Sequence, residues 1–213
     1  PEFWHEAWAY ERAERDAAAA FRHWVVASAA DAEILRTSLS SDVTIHVVPN
    51  GVDTYEFAPA AGAEESNNLL FSGLMDKVVN ISAVAFFVRE ILPRIRSRIP
   101  GVTLTIVGPR PTFSVRALVR ERGVSVTGYV PDLRPLLGRA AAVVVPLRSG
   151  TGTRNKILQA WAMEKAVVST PEGAEGLLTR HGDNLLLAES TERFAEAVAL
   201  LLQDADLRAR LGR

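Results

Sequence analysis

Residues 103–128 read TLTIVGPRPTFSVRALVRERGVSVTG. An apolar run (103–107) ends at Gly108, a stretch of good helix formers (113–122) follows, and a second apolar run (124–127) ends at Gly128. Strand, crossover helix and strand are spelled in 26 letters, and the same unit recurs on both sides. Strands are predicted at 69–72, 103–107, 124–127, 142–145, 166–169 and 185–187, with helices at 81–98, 113–122, 132–139, 153–163 and 192–211. Apolar runs that are continuous rather than alternating, each followed by a helix, predict a parallel sheet covered on both faces. The fold class is therefore α/β, a doubly wound parallel sheet. In such sheets ligands lie beyond the carboxyl ends of the strands, at the switch point.

Upstream the pattern is shorter. Trp4, Ala7, Trp8, Glu11 and Ala17 to Ala20 fall in a breaker-free helical stretch, His23 to Ser28 is a β-branched run, and helical composition returns at 29–36, with Ser28 and Asp31 as an N-cap pair. A strand at 43–48 leads into Pro49-Asn50-Gly51-Val52-Asp53, and 58–68 (APAAGAEESNN) has linker composition. Helix, strand and helix are an incomplete layer, so this segment reads as the end of a larger α/β domain. The expected division is residues 1–48 as the remnant of another domain, 49–66 as hinge and linker, 67–189 as the main domain and 190–213 as a C-terminal helix. The chain does not begin with Met, and the expectation is that more sequence precedes Pro1.

Composition narrows the function. The chain has 213 residues, 24 Lys+Arg against 25 Asp+Glu, and 48% hydrophobic residues. A net charge of -1 excludes the basic surplus of a general nucleic-acid binder. No cysteine is present, which removes disulfides, thiolate metal sites and thiol nucleophiles. No apolar run reaches the roughly 18 to 20 residues that cross a bilayer. The expected location is the cytoplasm, with a peripheral place at the inner face of the membrane as a further option.

Four loops after predicted strands carry glycine: Gly73, Gly108, Gly128, and the loop Ser149-Gly150-Thr151-Gly152-Thr153. None spells G-x-G-x-x-G, which disfavours a dehydrogenase. In the fourth loop the glycines let backbone approach a ligand, and a helix opening near Thr153 would offer unpaired N–H groups to an anion. Arg154 and Lys156 add two cations in that first turn, where a helix dipole disfavours positive charge unless an anion neutralises it. A flexible turn with solvated basic residues fits the same local pattern. Gln159, five residues past Arg154, has an amide suited to ribose or sugar hydroxyls, or is simply a surface glutamine.

Taken in order, Pro49-Asn50-Gly51-Val52-Asp53, Phe71-Ser72-Gly73, Ile106-Val107-Gly108, Val126-Thr127-Gly128-Tyr129-Val130, Val145-Pro146-Leu147, Lys156 to Met163 (KILQAWAM) and Val167-Val168-Ser169-Thr170 resemble the C-terminal half of family-4 GT-B glycosyltransferases. Met75-Asp76, Asn80, the loop at 149–154 and Gly173-Ala174-Glu175-Gly176 are similar to the branch associated with bacterial exopolysaccharide systems. The resemblance implies a retaining sugar transferase of hexosyl type with Rossmann-like domains. Its donor would be a nucleoside diphosphate sugar and its acceptor a saccharide or lipid-linked molecule; no metal and no other cofactor is expected. The loop at Gly128, Tyr129 and Val130 would flank the base. Gly150, Thr151, Gly152, Thr153 and Arg154 would cradle the diphosphate and sugar, beside Gly73 and Gly108. Arg154 and Lys156 would stabilise the departing diphosphate. The N-terminal acceptor domain would be the remaining partner, so the isolated chain would bind donor without turning it over.

Two departures open an alternative. The family's paired glutamates, with seven residues between them, are Thr151 and Gln159 here, and the cations usual after the first strand are Leu74 and Val79. Neutralisation then rests on Arg154, Lys156 and Lys77. The alternative is a non-catalytic nucleotide-sugar-binding or interaction module of the same fold. Asp204-Ala205-Asp206 spells a D-x-D metal motif but falls in the last predicted helix, where it reads as a solvated face. His5, His23, His46 and His181 show no metal-ligand spacing and read as structural.

Overall fold

The computed structural model describes residues 2–39, 42–59, 64–150 and 154–213. The chain forms two compact units, one up to Asn50 and one from Gly51 onward. In the first, α1 (Glu2–Ala20), β1 (His23–Val26), α2 (Ala29–Ser38) and β2 (Thr44–Val47) follow in the order the sequence predicts. β1 and β2 pair in parallel, His23 opposite Thr44 and Val26 opposite Val47. Ser28 caps α2: its hydroxyl accepts the Asp31 N–H at 3.1 Å and donates to the Asp31 carboxylate at 2.6 Å. His23 and His46 stack with ring centroids 5.4 Å apart.

The second unit holds a six-stranded parallel sheet in the order β5-β4-β3-β6-β7-β8. Its strands are β3 (Glu65–Ser72), β4 (Thr103–Val107), β5 (Val124–Gly128), β6 (Ala140–Val145), β7 (Ala166–Ser169) and β8 (Leu186–Leu187). The chain winds outward from β3 through β4 to β5, then returns to the other side of β3 and winds outward again from β6. The winding reverses between β3 and β6, which places the switch-point crevice at their carboxyl ends. Both central strands are deeply buried: Leu69, Leu70 and Phe71 on one side, all of Ala140 to Val145 on the other. The apolar runs read from the sequence are this core.

The structure corrects several boundaries. β3 begins at Glu65 and not at Leu69, although 65–68 has linker composition. Asn68 lies opposite Thr103, and its side-chain carbonyl accepts from Thr105 Oγ1 at 3.1 Å, so polar residues enter the ladder with their hydrogen bonds made. The single helix expected at 81–98 is three pieces: α3 (Val78–Phe86), a π-helical turn (Phe87–Ile91) and α4 (Leu92–Arg98). Pro93 clashes with the carbonyl four residues back in a regular helix, and the wider turn just before it relieves that clash. Ala83, Val84, Phe87, Val88, Ile91, Leu92 and Ile95 still face the core. Arg94 and Arg98 reach outward to Glu192 at 3.3 Å and Glu196 at 3.0 Å. The helix expected at 113–122 is α5 (Phe113–Arg116) followed by a 3-10 turn (Ala117–Arg120), and α6 spans Arg134–Arg139.

The C-terminal helix is likewise two, α8 (Thr191–Gln203) and α9 (Ala205–Gly212). Asp204 lies between them with extended backbone, and its carboxylate accepts the Leu207 N–H at 2.8 Å. Of the D-x-D motif, Asp204 is thus a helix cap, while Asp206 is exposed in the first turn of α9, a solvated helix face as expected. Asp204→Ala is expected to cost about 1 kcal/mol, the usual loss for an N-cap, read by denaturant unfolding.

Candidate functional site

The site is built on α7 (Asn155–Ala162), which starts two residues later than predicted. Arg154 therefore stands at the N-cap and only Lys156 occupies the first turn, because helical backbone begins at Asn155 (Arg154 has φ -90, ψ 81). Ile157 and Ala160 turn inward and fix which way the helix faces. Thr151, Gly152 and Thr153 lie outside the described residues.

Lys156 is aimed at the turn that follows β3. Its Nζ donates to Asn80 Oδ1 at 3.1 Å and sits 4.1 Å from the centre of the Phe71 ring. A methyl at Gly73 would fall 3.2 Å from that ammonium and 2.8 Å from Asn80 Nδ2, so the absence of a side chain at Gly73 leaves room for both. Burial, reinforced by the neighbouring charge of Arg154, draws the Lys156 pKa down to about 7. Arg154 folds back over the other loop: its Nη2 donates to the carbonyls of Gly150 and Glu172. Burial also holds its pKa below the ordinary value, opposed by the carboxylate of Glu175. Two cations from one helix thus meet two glycine turns, one after β3 and one after β6.

The neighbouring loops are knit by backbone. Gly73 N–H donates to Val107 O and Gly108 N–H to Gly128 O, each at 3.0 Å. Gly108 has φ +147, and a Cβ there would fall 1.7 Å from the Gly73 carbonyl oxygen. Beyond them Arg110, Pro111, Arg116, Val119, Val126, Thr127, Gly128 and Tyr129 line an open hollow of about 520 Å³. Tyr129 is exposed on its rim, while Val130 packs against the core. Arg110 has a left-handed φ of 55 and pairs with Asp76 at 2.9 Å, tying the loop after β4 to the loop after β3. In the sequence Asp76 and Asn80 stand out only as marks of the branch it resembles, with no role attached, and Asn80 falls one residue before the helix expected there, whereas the structure places it in the first turn of α3.

Among the described residues, the other candidates make no side-chain hydrogen bond to this cluster. Lys77 is exposed at the N-cap of α3. Gln159 is half-buried on α7, with no side-chain hydrogen bond among the described residues. His181 is structural, as expected, accepting the Leu187 N–H at 3.0 Å. Among the described residues no group of three or more His, Cys, Asp or Glu side chains could hold a metal, and no helix is long and apolar enough to cross a membrane.

Two glycine turns at the switch point, the two cations that reach them and a neighbouring hollow suit a ligand with a diphosphate and a ring. A protein of the Klebsiella pneumoniae cps region, described as an uncharacterized 44.6 kDa protein, is 24% identical over 139 residues, covering 62% of this chain and 36% of the relative. The chain therefore spans about a third of that relative's length. Staphylococcus aureus TarM, solved with UDP among its ligands, superposes with a TM-score of 0.72 at 17% identity over 88% of this chain and 38% of its own. Anabaena HepE, solved with UDP and glucose, gives a TM-score of 0.70 at 17% identity over 88% of this chain and 55% of its own. These likenesses establish the fold as that of the GT-B glycosyltransferases. Residues 66–204 match the family described as Glycosyl transferases group 1, more than half of the chain. With this match, a sheet reversing between β3 and β6, and a site at that reversal, the chain belongs to the group 1 glycosyl transferases.

Proposed function

We propose that this chain supplies the donor side of a retaining transferase that moves a hexosyl group from a nucleoside diphosphate sugar to a saccharide or lipid-linked acceptor. The observation that carries the reading is the convergence of Lys156 and Arg154 on the Gly73 and Gly150 turns at the switch point. The diphosphate lies between these turns, and the two cations take up the negative charge that grows on it as the sugar–phosphate bond breaks. The base occupies the hollow beside Gly128 and Tyr129, with Arg110 and Arg116 on its wall. Binding in this crevice fixes the donor for attack, which is itself a large part of the rate. TarM and HepE were solved with UDP, which supports a diphosphate-bearing donor.

Calorimetric titration with UDP and GDP tests it. One nucleotide is expected to bind, and Arg154→Ala is expected to weaken it about tenfold, as loss of a charge-assisted contact would. A second reading is favoured by Gln159, a neutral amide where the resemblance expects a carboxylate: a non-catalytic nucleotide-sugar-binding or interaction module of the same fold. Binding that ignores Arg154→Ala, or no binding at all, supports neither the site nor the transfer and leaves an interaction module.

A further inference from the structure

Asn80 is buried in the first turn of α3 and holds two contacts at once. Its side-chain carbonyl accepts from Lys156 Nζ at 3.1 Å, and its amide donates to the Leu74 carbonyl at 2.9 Å. Its amide nitrogen also lies 2.8 Å from where a methyl at Gly73 would be. One side chain thus joins the glycine turn after β3, the start of α3 and the ammonium arriving from α7. A lysine has four rotatable bonds and several kinds of water contact open to it, so a fixed position requires a partner that outweighs that freedom. The Phe71 ring, 4.1 Å from Nζ, fixes the ammonium on one side only.

We infer that Asn80 is a positioning residue, which seats the Lys156 side-chain nitrogen against the Gly73 turn so that a nucleoside diphosphate entering there meets an amine already in place. This rests on the donor-site reading above. The carboxamide suits the task because it is neutral. A carboxylate at 80 would charge Lys156 and pair with it before the ligand arrived, whereas an amide orients the amine and leaves its charging to the diphosphate. The groups facing Lys156 agree: β3 presents Phe71 and α3 presents Asn80, both uncharged, and the charged neighbour acting on it is Arg154.

The role shows in how Asn80 and Lys156 act together. UDP, or GDP if that is the nucleotide bound, is titrated calorimetrically into the chain and into Asn80→Ala, Lys156→Met and the double variant, with thermal unfolding to confirm that each is folded. Asn80→Ala is expected to weaken binding about tenfold in the parent and by less than about twofold on Lys156→Met, since a residue acting through Lys156 has nothing to act on once it is gone. Equal losses in both backgrounds mean that Asn80 is merely structural and overturn the inference.

Asn80→Asp supplies a second readout that does not depend on the truncated variant folding. At pH 8 the parent is expected to take up close to one proton per nucleotide, because the diphosphate recharges a lysine that is largely neutral when free; titrations in two buffers of different ionisation enthalpy read this. In Asn80→Asp the carboxylate keeps Lys156 charged beforehand and the uptake falls towards zero. Unchanged uptake overturns the inference. If the parent binds neither nucleotide, the donor-site reading fails and takes this one with it; binding with an additive cycle sinks this one alone.

Discussion

Gly108→Ala is expected to unfold the chain about 10 °C earlier and to abolish nucleotide binding, the largest loss of any methyl added at the site. The new Cβ would lie 1.7 Å from the Gly73 carbonyl oxygen and 2.8 Å from its carbon, both backbone atoms that no rotamer change can move aside. The φ of +147 is a further strain for an L side chain. To relieve the clash the loops after β3 and β4 must part, which breaks the Gly73–Val107 hydrogen bond. A loss on the order of 3–4 kcal/mol follows from overpacking against fixed backbone, and for a domain of this size it corresponds to that shift in melting temperature. Gly128→Ala is the control. It has φ +73 but nothing within 4 Å of the added methyl, so only the conformational cost of about 1 kcal/mol applies. Calorimetric melting of the two variants side by side decides it, and equal shifts would refute the close approach.

Lys156→Met is expected to act differently: it stabilises the chain at neutral pH while binding is weakened but stays measurable. The lysine falls from its ordinary value of 10.5 to about 7 on folding, so between those values the unfolded chain holds a proton that the folded chain has released. Stability therefore rises with pH across that window, is highest on this account above 10.5, and loses nothing further below about 7. Methionine keeps the packing on Phe71 without a charge to desolvate. A gain on the order of 2–3 kcal/mol at pH 7 is expected, together with a flatter dependence of stability between pH 7 and 10. Urea unfolding at several pH values measures both. A variant less stable than its parent at pH 7, with the slope unchanged, would show that Lys156 contributes no such penalty. Stability given up at a buried cation is the usual mark of a site kept for binding.

Much of the fold is legible in the sequence because a parallel sheet writes its strands as unbroken apolar runs, and Ala140 to Val145 or Ala166 to Ser169 can hardly be anything else. Glu65 to Asn68 was not legible: those residues are polar, and they become strand through partners distant in the chain, Thr103 opposite Asn68 and Ala140 opposite Glu65. The break at Asp204 and the turn before Pro93 had local signals, a cap residue and a proline, but the surrounding helical composition outweighed them. For the site, the glycine turns and both cations could be read directly. That Lys156 reaches back to Gly73 and Asn80 could not, since the contact spans 76 positions along the chain and exists only because β6 docks beside β3.

The strand order also governs how the domain is made. None of the neighbouring strands in this sheet can zip from a hairpin, because every pairing is parallel and closes a loop that contains other elements. The central pair is the slowest to form: β3 ends at Ser72 and cannot meet its partner until the chain has been synthesised past Ala140. In that interval Leu69, Leu70 and Phe71 have β4 on one edge only, so nascent chains expose their stickiest segment for longest.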